Sequence, residues 1–242
     1  MIAIIKKIYF KEEIMKFSTL KKEARSLLKG NWGWGLLIAL LNSIFIGIIG
    51  TVTDPSFFIG FEKGFTGSTQ DASAIVNPHA TVMLSMIVAG MLSFGIFFAY
   101  LRLVDTKETE NVFTGVFSAV TRKRILPSLL TSFLSGIFLS LWSLLLIIPG
   151  IVKAYAYSMA PYIIKDLTDN GKEVEPTEAI RLSREVMDGH KWQLFCLDLS
   201  FIGWFILSIL TFGIGFLWLR PYFGVTRANY YRHLVGDRFL KD

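Results

Sequence analysis

Long apolar blocks alternate with polar segments along this chain, and the longest block covers residues 125–167. Lys153 is the only charged residue in this block before Lys165. A helix that crosses a bilayer needs roughly 20 apolar residues, so a block of this length is too long for one span and suits two. Proline removes a backbone donor and glycine eases a turn, so Pro149-Gly150 interrupts the block. The pattern therefore predicts a helical hairpin with its turn at Pro149-Gly150.

The second long block, residues 192–231, is interrupted in the same way at Thr211-Phe212-Gly213. Two shorter blocks each have the length of a single span. We therefore predict an all-α fold, a polytopic membrane helix bundle that forms one domain. Its six predicted transmembrane helices cover residues 33–53, 80–104, 125–148, 150–167, 192–210 and 214–231.

Three polar segments show helical periodicity and predict short amphipathic interfacial helices. In residues 16–30, apolar positions recur at helical spacing opposite a basic face. Such a helix lies in the membrane surface with its apolar face down, or it packs on the inner face of the protein itself. The sequence leaves both alternatives open. Residues 112–120 repeat the pattern along one apolar face, and residues 176–189 carry a helix-starting proline and a helix-ending glycine.

Composition supports a membrane protein. Hydrophobic residues make up 52% of the chain and charged residues 18%, against about 25% charged residues in soluble domains. The formal net charge of +6 would fit a nucleic-acid partner, but the basic residues stand at the ends of apolar blocks. Membrane topology explains that placement better, so we predict no nucleic-acid partner. The single cysteine, Cys196, predicts no disulfide.

The distribution of basic residues predicts the topology. If the chain crosses six times with both termini cytoplasmic, nearly all of the 25 lysines and arginines fall on the inner side, as the positive-inside rule requires. A four-span arrangement would place the basic residues of segment 165–191 outside. We therefore predict a multi-pass protein of the cell membrane. Met15 is an alternative start to Met1, because the organised pattern begins after it.

Charges inside a membrane are costly and face a partner or a cavity. Counting 1.5 Å per residue along the fifth and sixth spans places Asp198 and Arg227 almost level. We predict that they pair as a packing clamp, and a proton or ion relay is the less favoured alternative. Lys153 and Arg220 are predicted in the outer half of the membrane. They either snorkel to the surface or jointly contact an anionic headgroup or solute.

The basic cluster at residues 122–124 is predicted to lie near anionic lipid headgroups at the inner surface. It consists of Arg122, Lys123 and Arg124. The histidines fall in separate segments, and no serine stands in a nucleophile elbow. We therefore predict no enzyme activity, no catalytic residue, no cofactor and no metal.

Four runs carry a likeness to a known family. They are LKKEARSLLKGNWGWGLL, LWSLLLIIPGIVKAYAYSMAPYIIKD, EAIRLSREVMDGHKWQLFCLDLSFIGW and GIGFLWLRPY. The chain resembles, over about residues 16–231, the bacterial integral membrane family catalogued as domain of unknown function 975. The resemblance implies a multi-span inner-membrane protein with no assigned activity, and it carries over no catalytic residues.

Two functions remain open at the level of sequence. The first is a non-enzymatic scaffold or accessory protein in envelope or lipid processes, and its partners would be membrane lipids. The second is a small transporter, or a subunit of one, for an anionic solute or lipid. A bundle whose polar groups pair internally would favour the first function. A continuous polar cavity lined by Lys153, Arg220 and Asp198 would favour the second.

Overall fold

The computed structural model of the chain describes residues 16–52, 78–121, 123–145 and 147–240. In this part of the chain all regular secondary structure is helical, so the predicted all-α fold is confirmed. The helices are α1 Phe17–Leu28, α2 Trp32–Val52, α3 Pro78–Thr106, α4 Val112–Val116, a short 3-10 helix Ser118–Val120, α5 Ile125–Leu145, α6 Ile147–Tyr157, α7 Ala160–Asp169, α8 Pro176–Val186, α9 Lys191–Leu199, α10 Ile202–Leu210 and α11 Phe216–Val235.

Four segments are long and apolar enough to cross a membrane. They are Trp32–Thr51, Ile87–Thr106, Ile125–Trp142 and Lys191–Leu210. The last of these comprises α9 and α10 with the turn between them. Four of the six predicted spans therefore meet this criterion in the residues that the structure describes.

The fourth and sixth predicted spans do not meet this criterion, and the physical reason is different for each. In the fourth, residues 150–167, the helix breaks between α6 and α7 at Ser158-Met159. The 11 residues of α6 extend only about 16 Å, half of a hydrocarbon core of about 30 Å. In the sixth, α11 has 20 residues but carries Arg220, Arg227 and Arg232.

Pro149 and Gly150, where the sequence predicted the hairpin turn, lie inside a helix. Helix α5 ends at Leu145 and α6 begins at Ile147, so Pro149-Gly150 belongs to the first turn of α6. Proline is tolerated there, because the N–H groups of a first helical turn have no intrahelical acceptor. The sequence signal at Pro149-Gly150 therefore marked the start of a helix and not an interruption.

Ring contacts show that α5 and α6 run antiparallel. The ring centroids of Phe138 and Tyr157 are 6.3 Å apart. Nearer the turn, the Lys153 ammonium lies 4.5 Å from the centroid of the Trp142 ring. Ile180 of α8 packs beside the first of these contacts, so α8 closes the side of the hairpin.

Helix α1 packs on the protein rather than lying with its apolar face in lipid. Leu20, Ala24 and Leu28 are each 0% exposed, and α1 contacts α11 along its length. Lys21 Nζ donates a hydrogen bond of 2.9 Å to the carbonyl oxygen of Ser200. Of the two alternatives that the sequence left open, the structure therefore shows α1 packed on the protein itself, because other parts of the chain cover its apolar face.

The predicted apolar helix face at residues 112–120 does not form. Helix α4 ends after five residues. Val116 is fully buried, but Phe113 is 59% exposed. The chain turns because Ser118 Oγ donates a hydrogen bond of 3.0 Å to the carbonyl oxygen of Gly95 in α3. The two backbones approach so closely that a Cβ on Gly95 would overlap the carbonyl oxygen of Val116.

The core lies between α3, α7 and α11. Tyr162, Tyr230 and Tyr231 are among the largest fully buried side chains. The rings of Tyr162 and Tyr231 stack with their centroids 5.0 Å apart. This aromatic layer separates two groups of charged side chains.

Candidate functional site

Asp198 of α9 and Arg227 of α11 form an ion pair. Arg227 Nε donates to Asp198 Oδ1 at 3.1 Å, and Nη2 donates to Oδ2. The Tyr155 hydroxyl donates to the same Oδ2 at 3.0 Å. The exposed fractions of the Arg227 and Asp198 side chains are 22% and 15%. The structure thus brings together the two residues predicted to pair, in the two-pronged geometry that makes arginine–carboxylate pairs strong.

Tyr155 is the member of this site that sequence reasoning missed. Its helix, α6, is separated from α9 by the whole of α7 and α8. Counting residues along the fifth and sixth spans can reveal only contacts between those two spans. The edge-to-face contact of Tyr155 with Phe195, at 5.8 Å between centroids, holds the hydroxyl against Asp198. A spacing rule within one hairpin contains no signal for such a contact.

A larger group of charges, which we call the charge cluster, joins α3, α5, α7 and α11. It contains three aspartates and three cations. These residues are Asp105, Asp166, Asp169, Arg124, Lys165 and Arg232. The sequence did not predict this cluster, because its members lie in four separate segments at the ends of apolar blocks.

Arg232 is the centre of the charge cluster. It donates to both oxygens of Asp166, at 3.0 and 3.1 Å. It also donates to both oxygens of Asp105, at 2.7 and 2.8 Å. The Asp166 side chain is 0% exposed and accepts a further hydrogen bond of 2.7 Å from the Tyr231 hydroxyl. One planar guanidinium thus binds two carboxylates, as the fixed fork of its donors allows.

The other half of the charge cluster involves Asp169. Lys165 Nζ lies 3.0 Å from Asp169 Oδ2 and 3.8 Å from Asp105 Oδ2. Arg124 also pairs with Asp169, and its Nε donates to Thr168 Oγ1 at 3.3 Å. Burial lowers the pKa of the Arg124 guanidinium. The cluster is therefore internally neutralised, with three carboxylates facing three cations.

These contacts correct one part of the predicted lipid-contact cluster. Arg124 points into the protein, because Asp169 and the Phe98 ring, 5.4 Å from its guanidinium carbon, take up its charge. Lys123 is exposed, as a headgroup contact requires. Arg122 lies outside the described residues. Sequence alone could not separate these three adjacent cations, because only the path of the chain after α4 decides which of them turns inward.

Lys153 and Arg220 do not form a joint site, which is a second correction. Arg220 donates a hydrogen bond to Ser43 of α2, whereas Lys153 lies against Trp142. In the described residues no contact connects the two cations. Lys153 stands one turn before the end of α6 at Tyr157. Lys153 therefore lies beside residues 181–191. The basic residues of this segment were the reason for predicting that it lies on the inner side of the membrane.

Lys153 lines a groove of about 460 Å³ between α6, α8 and the start of α9, which we call the basic groove. Its charged walls comprise four cations and two carboxylates: Lys153, Arg181, Arg184, Lys191, Glu185 and Asp188. Arg238 donates a hydrogen bond of 2.6 Å to Glu185, and this bond lowers the pKa of that carboxyl. Glu185 is thus ionised and already partnered, and the groove has a surplus of positive charge.

A second cavity, of about 440 Å³, is mainly apolar. Arg25 and three tryptophans, Trp32, Trp204 and Trp218, are among its lining residues. Neither Asp198 nor Arg220 lines this cavity or the basic groove. Over the described ranges, His, Cys, Asp and Glu side chains form no metal-binding group of three or more.

In the residues that the structure describes, the protein is helical, has four segments long and apolar enough to cross a membrane, and pairs the charges of its interior. The chain belongs to the family of proteins of unknown function DUF975, whose family model matches residues 15–154 and 144–238. The family resemblance found in the sequence is therefore confirmed. No curated protein and no solved structure matches the chain.

Proposed function

We propose that the protein is a multi-pass protein of the cytoplasmic membrane that acts as a non-enzymatic scaffold or accessory protein in envelope or lipid processes. One observation carries this proposal: in the part of the chain that the structure describes, the interior charges bind one another. The Asp198–Arg227 pair and the charge cluster both have this character. A transport path for an anion would need such groups to face a cavity.

Six spans with both termini cytoplasmic remain part of this proposal. The arginines of α11 support it, because each has a partner within the protein. Arg220 binds Ser43, Arg227 binds Asp198, and Arg232 binds Asp105 and Asp166. Partners of this kind reduce the cost of placing cations in or near a bilayer.

Cysteine labelling tests the topology. In a Cys196→Ala background, a membrane-impermeant maleimide is expected to label Ser68→Cys in intact cells. Lys172→Cys is expected to react only after the membrane is permeabilised, because positive-inside topology puts segment 165–191 on the cytoplasmic side. Labelling of Lys172→Cys in intact cells would exclude the six-span arrangement and favour four spans.

The choice between scaffold and transporter is tested with Asp198→Asn. This change leaves Arg227 without its counter-ion, so we expect the free energy of unfolding to fall by about 3 kcal/mol. The measurement is a denaturing-detergent titration of the purified protein. Asp188→Asn, whose carboxylate is 85% exposed, is the matched control and is expected to stay within about 0.5 kcal/mol of the parent protein.

The same proteins are then reconstituted into liposomes, and proton and inorganic-phosphate fluxes are measured. A scaffold is expected to show no flux above that of protein-free liposomes, with or without Asp198. A flux that the parent protein supports and Asp198→Asn abolishes would contradict the proposal. It would instead assign Asp198 to a relay or a transport path.

A further inference from the structure

The cations of the basic groove are incompletely neutralised. Arg181 lies 3.6 Å from Glu178, and Lys191 lies 3.5 Å from Asp188. Both are exposed pairs, which contribute little in water. The remaining carboxylate of the groove, Glu185, is engaged by Arg238.

Two cations of the groove have no carboxylate partner at all in the part of the chain that is described. Arg184 is exposed and makes no ion pair there. The ammonium of Lys153 lies over the face of Trp142, a ring that offers its N–H donors no oxygen acceptor. Lys153 and Arg184 come from different helices, α6 and α8, and line the same space. An oxyanion placed between them would receive donors from both sides.

An exposed apolar surface adjoins the groove and meets it at Val152. On α6, Ile148 is 75% exposed, Ile151 46% and Val152 45%, and Val152 also lines the groove. At the start of α9, Trp192 is 72% exposed. Apolar side chains next to unpaired cations, with tryptophan at the boundary, are typical of a protein surface at the level of lipid headgroups.

We propose that the basic groove binds the phosphate of an anionic phospholipid, with the acyl chains lying along Ile148 and Val152. Lys153 and Arg184 would donate to the phosphate oxygens in charge-assisted hydrogen bonds. The volume of about 460 Å³ lies within the range of small-ligand sites. The inference rests on the proposed function only in requiring that α6 face lipid.

The lipid, rather than a free phosphate ion, is favoured by the adjoining apolar surface. A dissolved anion would gain contacts from the cations alone and would leave Ile148 and Val152 uncovered. A phospholipid covers them with its chains while its phosphate meets the cations. The anionic headgroup also increases the attraction, since each basic residue near such a surface contributes to binding.

The test compares the full chain with the double variant Lys153→Gln and Arg184→Gln. Binding of dioleoyl phosphatidylglycerol to the detergent-purified protein is titrated by native mass spectrometry, with dioleoyl phosphatidylcholine as the uncharged comparison. We expect the double variant to bind phosphatidylglycerol about tenfold more weakly. Its binding of phosphatidylcholine is expected to stay unchanged.

The matched control is Lys22→Gln with Lys29→Gln, which removes the same charge from exposed positions of α1 and its C-terminal end. It is expected to bind phosphatidylglycerol like the parent protein. An equal loss in this control would mean that only the net charge matters, and unchanged binding in the groove variant would also overturn the proposal. The charge-preserving variant Lys153→Arg with Arg184→Lys is expected to retain binding, and a loss of phosphatidylglycerol binding with phosphatidylcholine binding unchanged would contradict the site.

Inorganic phosphate alone forms a further arm of the experiment. It is expected not to displace phosphatidylglycerol, and displacement would identify the occupant as a free anion. The result is separable from that of the proposed function. Loss of the groove would leave the labelling and flux results unaltered, whereas a flux through the bundle would leave the lipid titration unaltered.

Discussion

Replacing Asp166 with asparagine is expected to lower the free energy of unfolding by about 3 to 5 kcal/mol. The Asp166 side chain is 0% exposed and binds both Arg232 and Tyr231. Asparagine has nearly the same shape, so the change removes a charge without creating a cavity. It leaves the buried side of the Arg232 guanidinium facing a neutral amide, so that Asp105 alone would balance its charge, and removing one partner of a buried ion pair is costly.

The expected loss of stability is large because the Arg232 side chain is held by further hydrogen bonds and cannot readily turn toward solvent. Its other donors are held by Asp105, and its Nη1 also donates to the carbonyl oxygen of Gly236 at 3.1 Å. The introduced amide would in addition turn its NH₂ group toward donors that are already present. The substitution would therefore weaken the contacts between α3, α7 and α11 as a group, in addition to the one ion pair that it removes.

A denaturing-detergent titration of the purified protein, followed by tryptophan fluorescence, measures this effect. Asp188→Asn is the control, because it makes the same chemical change at a carboxylate that is 85% exposed and is expected to cost less than about 0.5 kcal/mol. If Asp166→Asn unfolded at the same detergent fraction as this control, the charge cluster would contribute nothing to stability.

Replacing Gly95 with alanine is expected to have the second largest effect, a loss of about 3 kcal/mol. A Cβ at this position would overlap the carbonyl oxygen of Val116. The neighbour is backbone and cannot rotate away, so α3 and the segment from α4 to the 3-10 helix must separate. That separation would also break the hydrogen bond from Ser118 Oγ to the Gly95 carbonyl oxygen.

Gly136→Ala is the matched control for Gly95→Ala. Gly136 also lies inside a long helix, α5, but a Cβ there would meet nothing within 4 Å. Alanine favours a helix over glycine by up to about 1 kcal/mol, so this variant is expected to be neutral or slightly more stable. Both proteins are compared by the fraction that remains monodisperse on size exclusion after heating. Equal survival of the two variants would contradict the close packing of α3 against α4.

The sequence predicted features that depend on neighbours along one helix or one hairpin. The helical class, the reversal within residues 125–167 and the short helix that begins at Pro176 all follow from local periodicity and from turn residues. The pairing of Asp198 with Arg227 followed for the same reason. Their separation along the chain is 29 residues, and a single turn between two spans sets their register.

Where the predictions were wrong, a distant part of the chain or the detailed geometry of a helix start decided the outcome. Pro149-Gly150 does not interrupt α6, because a proline in the first helical turn breaks no hydrogen bond. The apolar face at residues 112–120 did not form because α3 binds that segment through Gly95. Arg124 faces inward because Asp169 lies beside it. The periodicity of the surrounding residues does not contain this information.

Sequence by itself determined that the chain is helical, that several of its segments are apolar enough for a bilayer, and which family it belongs to. The first two properties depend on composition and on the periods of helices, and the family was indicated by the resemblance of four runs of residues. Apart from the Asp198–Arg227 pair, only the tertiary structure decided which cations are paired and which remain available. Arg232 and Asp105 meet across 127 residues of chain, whereas Lys153 and Arg184 meet no carboxylate in the described residues. Such contacts depend on how helices from distant segments pack, and no local pattern in the chain specifies that packing.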